Sequence, residues 1–271
     1  MTSYAIGSVH GDYPALIQLL QKIGYEADTD RLGFAGNLVN SGPDSLAVLR
    51  FVKNLGKNAV TVLGSQELHL LSVAAGIVPS RTDDTFDDIL AAEDKDELLK
   101  WLRQRTLIHH DSKLNFTMVH AGIPTEWTFS QALTFAYEVE SVLVSGQYIA
   151  FLENRRQDQT RWHAKLTGWK RTNFITNAYT AMAYCTDQGK LDFREQGPIY
   201  QQTSPLVPWY RLPNRITAHL NIVFSDEVSF EDSVFPGIFP LACQTVLSAL
   251  KLTSDPEVFS IERNNGLPEA I

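Results

Sequence analysis

The sequence predicts an α/β protein whose core is a parallel sheet. Three short apolar runs each end in glycine and a small polar residue, and each leads towards a helix pattern: Tyr4–Gly7, Arg31–Ala35 and Asn58–Leu63. A repeated strand–helix order gives parallel strands joined by right-handed crossovers. The loops at the carboxyl ends of such strands lie together and form the ligand-binding edge of the sheet.

The helices that follow these strands have recognisable boundaries. Asp12 is expected to cap the first helix, and Gly24 to end it. The second helix is predicted from Asp44 to Gly56, and the third over Gln66–Ala75, each with apolar residues at helical spacing.

The rest of the chain mixes further helices and strands. The expected elements are a helix over Asp94–Arg105, a strand over Leu114–His120, a helix over Ser130–Val144 capped by Ser130, a hairpin turn over Thr186–Lys190, a strand over Ile216–Phe224, and one or two strands within Gly237–Leu252.

Composition excludes several functional classes. With 271 residues, of which 44% are hydrophobic, the chain can bury a full core. The net charge of −8 argues against a nucleic-acid-binding face. No apolar stretch reaches the ~18 residues of a membrane span, and no signal peptide is visible at the N-terminus. Cys185 and Cys243 lie far apart, which suits a reducing cytoplasm.

The three glycine loops carry the candidate site. Glycine lets the backbone turn sharply and approach a ligand closely. The loops read Ile6-Gly7-Ser8-Val9-His10-Gly11, Gly36-Asn37 and Gly64-Ser65-Gln66-Glu67. We interpret them as one cleft, and its expected ligand-facing residues are Gly11, Asn37, Ser65 and Glu67.

These residues resemble the calcineurin-type metallophosphoesterases. Within that family they are most similar to the symmetrical bis(5′-nucleosyl)-tetraphosphatases, which cleave diadenosine tetraphosphate into two ADP. The resemblance covers roughly residues 3–250 and includes Ser45–Arg50, Leu68–Ile77, Asp96–Arg103, Val119–Ile123 and Phe174–Tyr179.

The resemblance implies both an architecture and a cofactor. The architecture is an αββα sandwich with helical cap insertions, here a single domain over 1–271 with inserts near 79–110 and 125–170. The cofactor is a pair of divalent cations, Mn, Co or Mg.

The chain departs from the family pattern at the metal-binding positions. Aspartates are expected where Ser8 and Asn37 stand, the second of them bridging the two metals. A ligand asparagine is expected at Ser65, and the histidine of a Gly-His-Trp motif at Asp226. Two dications need an anion between them, and hard cations prefer charged oxygen ligands.

The groups expected to carry out hydrolysis are also replaced. The general-acid histidine is Gln66, whose amide cannot donate a proton at neutral pH. The arginines expected to clamp phosphate are Ser41, Ala181 and Ala183, which removes bidentate contacts.

Three polar side chains of the family pattern are kept. His10 and His120 are expected to be either a residual site for at most one weakly bound metal, together with Asp226, or histidines that only hydrogen-bond within a vacated cleft. Glu67 is expected to cap the third helix.

The sequence therefore predicts a pseudoenzyme, which keeps a cleft for a nucleotide, such as a dinucleoside polyphosphate, or for a protein partner. Two alternatives stay open. One is a weak hydrolase using a single metal held by His10, His120 and Asp226. The other is an interaction protein whose cleft holds no ligand.

Overall fold

A computed structural model of the chain describes residues 1–193, 205–225, 235–241 and 245–263. Within them the strands are β1 (Ser3–Ile6), β2 (Arg31–Phe34), β3 (Ala59–Thr61), β4 (Ile108–Asp111), β5 (Phe116–Val119), β6 (Tyr184–Cys185), β7 (Leu191–Asp192), β8 (Val207–Pro208), β9 (Asn221–Phe224), β10 (Ile238–Pro240), β11 (Val246–Lys251) and β12 (Glu257–Glu262). The helices are α1 (Tyr13–Lys22), α2 (Ser45–Asn54), α3 (Ser65–Ala74), α4 (Asp87–Leu90), α5 (Lys95–Arg103), α6 (Phe129–Val144), α7 (Tyr148–Glu153) and α8 (Gly168–Ala181).

Two larger sheets form the framework of the fold. The first has the strand order β12-β11-β1-β2-β3, and β1, β2 and β3 pair in parallel as the strand–helix pattern predicts. The second has the order β10-β9-β5-β4, with β5 parallel to β9 and antiparallel to β4. A small third sheet, β7-β6-β8, follows α8.

The two large sheets pack face to face through apolar side chains. Gly33 in β2 has no side chain, and the sulfur of Met118 in β5 would lie 3.1 Å from a Cβ at that position. Around this contact lie buried residues of both sheets: Ala5, Ala35, Phe116, Val223, Leu241 and Leu250. Interleaved apolar surfaces of this kind hold a sandwich together. The predicted αββα architecture is confirmed.

The helix caps agree with the sequence at one position and differ at another. The Asp12 carboxylate accepts the Ala15 N–H at 3.0 Å and caps α1, as predicted. The cap of α6 is Thr128, not Ser130, because Thr128 and Gln131 form a reciprocal capping box. The helix therefore begins one residue earlier than predicted.

Two strands have no clear signal in the sequence. β4 contains His109 and His110 and lacks apolar alternation, yet it pairs with β5 along its length. β12 is mostly solvent-facing and pairs with β11 over six residues. Among the helices described, none combines the length and apolar character that crossing a bilayer requires.

Candidate functional site

The site lies where the carboxyl ends of the central strands of both sheets meet. Loop 1 (residues 7–12) follows β1, and loop 2 (residues 35–44) follows β2. The N–H of His10 donates to the carbonyl of Asn37, and the N–H of Gly11 to that of Leu38, both at 2.8 Å. The N–H of Gly42 returns to the carbonyl of His10 at 2.7 Å. These backbone bonds join the two loops into one rigid rim.

The rim holds a concentration of unusual backbone conformations. His10, Asn37, Asn40 and Ser41 have φ values of +54°, +48°, +73° and +68°. Left-handed backbone is strained for residues other than glycine and is retained where the surrounding structure enforces it. In the described chain only Asn115 among the other non-glycine residues has a positive φ. The strained backbone of the described chain is therefore concentrated in loops 1 and 2.

Glu67 ties loop 2 to the start of α3. Its side chain is fully buried and accepts three backbone N–H groups, from Asn37 at 2.9 Å, Leu38 at 2.6 Å and Gly64 at 2.7 Å. Burial raises the pKa of Glu67 above its ordinary value, although the three donors oppose that shift. Glu67 does cap α3, and in addition it fastens a second loop.

Asn37 lies in loop 2 at the rim and is already engaged by the protein. Its amide oxygen accepts the backbone N–H of Gln66 at 3.1 Å, and the residue is 2% exposed. A Cβ at Gly64 would lie 2.3 Å from the same oxygen, so only glycine fits beside it. The amide is thus held against the N-terminus of α3.

Ser8 bridges the two sheets through a hydroxyl pair. The Ser225 hydroxyl, at the end of β9, accepts the backbone N–H of Ser8 at 2.6 Å, and the two hydroxyl oxygens are 2.8 Å apart. Both serines are buried. Asp226, the next residue and a predicted metal ligand, lies outside the described residues.

His10 and His120 both lie buried at this rim. His120 Nδ1 is 2.7 Å from the carbonyl oxygen of Ala35. A carbonyl can only accept, so Nδ1 carries the proton, and in the neutral ring the lone pair lies on Nε2. Gly36 permits this contact, because a Cβ there would lie 2.8 Å from Nδ1. The imidazole therefore has the tautomer that metal-binding histidines commonly show.

The remaining predicted positions carry uncharged side chains. Ser65 and Gln66 begin α3 and are partly exposed, and Gly11 sits in loop 1 with a φ of +67°. Ser41 is partly buried in loop 2, while Ala181 ends α8 and Ala183 precedes β6. At none of these positions does the side chain offer a guanidinium to a phosphate.

A hydrogen-bond network beside the rim was missed by sequence reasoning. The Asn40 amide donates to Gln66 Oε1 and to Asp84 Oδ1, both at 2.9 Å, and Asp84 also lies 2.8 Å from His69 Nε2. Burial opposes ionisation of Asp84, but the Arg81 N–H, His69 and Asn40 outweigh it and hold its pKa at about 2. The sequence around Asp84 is polar, and nothing in it signals a buried carboxylate.

A buried arginine also supports loop 1 and had no sequence signal. Arg263, which follows β12, has a side chain that is 2% exposed. It donates to the Ser8 carbonyl, to the Val9 carbonyl at 2.9 Å and to the Asp12 carboxylate at 3.3 Å. A permanent cation therefore lies directly behind the loop in which the family pattern has a metal-binding aspartate.

Among the described residues, Ser8 and Asn37 stand where the family pattern has metal-binding aspartates. Over the described parts of the chain, no group of three or more histidine, cysteine, aspartate and glutamate side chains is arranged to hold a metal ion. The Glu67 carboxylate already accepts three backbone N–H groups, and Asn37, which stands in the bridging position of the family pattern, is neutral. Paired dications at short separation require anionic oxygen between them.

Comparison with known proteins identifies the family. The family model described as calcineurin-like phosphoesterase matches residues 1–189. A symmetrical bis(5′-nucleosyl)-tetraphosphatase of Methylococcus capsulatus is 47% identical over 225 residues, covering 83% of this chain and 80% of the relative. Another, from Nitrosococcus oceani, is 39% identical over 270 residues and 97% of each chain.

Solved structures agree on the fold. A crystal structure of a candidate diadenosine tetraphosphatase superposes with a TM-score of 0.65 at 19% identity, over 98% of this chain and 95% of the other. A protein serine/threonine phosphatase from Saccharomyces cerevisiae gives 0.57 at 12% identity, over 97% and 80%. Taken with the sequence relatives, these similarities show that the chain belongs to the calcineurin-like phosphoesterase family, in the group of symmetrical bis(5′-nucleosyl)-tetraphosphatases.

Proposed function

We propose that this protein is a pseudoenzyme of its family, which keeps a cleft for a nucleotide or a protein partner without assembling a two-cation centre. The observation that carries the proposal is Asn37, whose amide oxygen is bound to the Gln66 N–H. A neutral amide in the bridging position leaves two dications without the anion that their mutual repulsion requires.

The chemistry of the neighbouring residues supports the same conclusion. Hydrolysis of a phosphoanhydride needs an activated water and stabilisation of the developing charge, and a proton donor to the leaving group assists it. Gln66 has no titrating group, and Ser8 and Ser225 satisfy each other through their hydroxyl pair. Ser41 and Ala183 cannot neutralise phosphate charge. Because several contributions are absent together, compensation by one group does not restore the reaction.

The backbone of the rim supports a retained cleft. Left-handed conformations at residues such as His10, Asn37 and Asn40 each cost on the order of 1–3 kcal/mol. If the cleft bound nothing, relaxing these left-handed conformations would stabilise the chain without loss of function. The relatives are named for bis(5′-nucleosyl) tetraphosphates, so a dinucleoside polyphosphate or a simpler nucleotide is the ligand class we assign to the cleft.

A single-metal hydrolase is a second candidate, and one specific observation favours it. The Ala35 carbonyl fixes the His120 tautomer in the form suited to coordination, and His10 lies on the same rim. With Asp226, these two histidines would complete a two-histidine, one-carboxylate set. Such a site would bind at most one metal weakly.

Three broader assignments accompany the proposal. We expect residues 1–271 to fold as one domain, with α4 and α5 inside the insert near 79–110 and α6 and α7 inside the insert near 125–170. We also place the protein in the cytoplasm. Cys185 is a buried free thiol, and burial raises its pKa to about 12, so it is an inert packing residue.

Two measurements on the purified protein test the proposal. Elemental analysis measures bound metal, and a hydrolysis assay with added manganese or cobalt measures release of ADP from diadenosine tetraphosphate. We expect less than one metal per chain and no turnover above background. The matched comparison is the variant Ser8→Asp/Asn37→Asp/Ser65→Asn/Gln66→His/Asp226→His, which should regain metal before it regains activity.

The outcomes separate the three functions. Two metals per chain with rapid turnover would overturn the pseudoenzyme. One metal that is lost in His120→Ala, together with slow turnover, would establish the single-metal hydrolase. If diadenosine tetraphosphate, ADP and phosphate all leave the melting temperature unchanged, the cleft holds no nucleotide, because a ligand of the native state must raise that temperature.

A further inference from the structure

The segment after β8 packs against the turn that begins with His120. Trp209 is buried, and its indole nitrogen would lie 2.7 Å from a Cβ on Gly122, two residues after His120. Further along, the N–H of Ile216 donates to the carbonyl of Thr125 at 3.0 Å. The segment is thus fixed at two points to the carboxyl-edge turn of β5.

The same segment lies beside a position where the family pattern has a phosphate-clamping arginine. The backbone N–H of Trp209 donates to the carbonyl of Ala183 at 3.2 Å. The start of this segment is therefore held beside Ala183, where the arginine of the family pattern is missing.

Trp209 and Arg215 of this segment each have a buried N–H donor without an acceptor in the described part of the chain. Trp209 Nε1 and Arg215 Nη1 are both inaccessible to solvent, and neither has a hydrogen-bond partner among the described residues. The Arg215 guanidinium carbon lies 5.5 Å from the centre of the Trp209 ring, so both donors belong to one cation–π pair. A buried polar group without a partner costs on the order of 1–3 kcal/mol, which a bound ligand or water would recover.

The donor groups of Trp209 and Arg215 indicate which class of ligand they could bind. An indole N–H and a guanidinium are donors only, so the partner must supply acceptor oxygens. Burial lowers the pKa of Arg215, with no contribution from a neighbouring carboxylate, and the group stays cationic at neutral pH. A partly buried cation with an unpaired N–H is best satisfied by an anion that accepts several hydrogen bonds, as a phosphate group does.

We propose that Arg215 and Trp209 form an oxyanion subsite that holds a phosphate group of the ligand in the cleft. The subsite rests on the proposed function in its nucleotide-binding form. It supplies from another segment the cationic contact that Ser41, Ala181 and Ala183 do not supply.

Titration calorimetry in EDTA at constant ionic strength tests this subsite with three probes: inorganic phosphate, ADP and adenosine. We expect the wild type to bind ADP and phosphate but not adenosine. Arg215→Gln should raise both Kd values about tenfold or more, as expected when a charge-assisted contact is lost. Trp209→Phe, which keeps a ring and removes only the N–H donor, should raise them severalfold.

The matched control is Arg31→Gln, which removes an exposed arginine at the opposite, amino end of β2 and should leave both Kd values unchanged. Tighter binding of ADP than of phosphate identifies a nucleotide as the source of the phosphate group, whereas equal binding identifies a free oxyanion. Both results support the subsite.

Absence of phosphate and ADP binding by the wild type, or unchanged Kd values in Arg215→Gln and Trp209→Phe, overturns the subsite. If Arg215→Gln fails to fold, Trp209→Phe decides. Turnover of diadenosine tetraphosphate by the same preparation would overturn the pseudoenzyme and leave the Arg215 result standing, so the two failures are distinguishable.

Discussion

The substitution Glu67→Gln isolates the interaction that joins loop 2 to α3. Glutamine matches glutamate in shape but has one acceptor oxygen instead of two. In the wild type one carboxylate oxygen accepts the N–H groups of Asn37 and Gly64, and the other accepts that of Leu38. An amide can satisfy at most the first pair, and its NH₂ group then faces the Leu38 N–H.

The loss of stability in Glu67→Gln follows from the number of hydrogen-bonding groups left without partners. One backbone N–H and one side-chain NH₂ are left buried without acceptors, at on the order of 1–3 kcal/mol each. The raised pKa of Glu67 shows that burial already penalises the charge, and the neutral amide removes that penalty. We therefore expect the free energy of unfolding to fall by about 2–4 kcal/mol.

Urea denaturation at neutral pH, followed by circular dichroism, measures this change. The control is Glu97→Gln, which removes a carboxylate that is 69% exposed and paired with Lys53. It should change the free energy of unfolding by less than about 1 kcal/mol. If Glu67→Gln behaves like this control, the carboxylate does not hold the two loops together, and our account of the rim is wrong.

Two further predictions concern the same rim. The pKa of Asp84 is held at about 2, so the ionised carboxylate contributes about 2 kcal/mol to the free energy of unfolding above pH 4. This contribution is lost as the pH falls from 4 to 2, and the variant Asp84→Asn should not show that loss in acid unfolding. Gly64→Ala should lower the free energy of unfolding in urea by about 2 kcal/mol, because its Cβ would lie 2.3 Å from the amide oxygen of Asn37. Gly146→Ala, where a Cβ meets nothing within 4 Å, is the control and should not be destabilised. These assignments would be contradicted if both glycine variants lost the same free energy of unfolding, or if Asp84→Asn lost stability between pH 4 and pH 2 as the wild type does.

The parallel half of the first sheet was predictable because its signals are local. Apolar runs followed by glycine and a helix pattern identify β1, β2 and β3 whatever the rest of the chain does. The Asp12 cap is equally local, since the bond joins residues three apart. The Ser130 prediction failed because two neighbouring hydroxyl residues can both cap a helix, and the reciprocal contact with Gln131 decides for Thr128.

Other elements depend on partners far away in the sequence. β4 and β12 carry polar residues and become strands because β5 and β11 supply the matching hydrogen bonds. Asp84 looks like a loop residue until Asn40 and His69 are brought against it. No pattern in the neighbourhood of these residues contains that information.

The sequence by itself determined the family, the three glycine loops and the missing charges, because residue identity fixes which side chains can ionise, coordinate a cation or donate a proton. Only the tertiary structure decided what those residues do now. It bound the Asn37 amide to α3, paired Ser8 with Ser225, and brought Arg263 behind loop 1 from the other end of the chain. Hydrogen bonds and burial depend on distances in space. Residues as far apart in sequence as Ser8 and Ser225 come within hydrogen-bonding distance only when the chain folds.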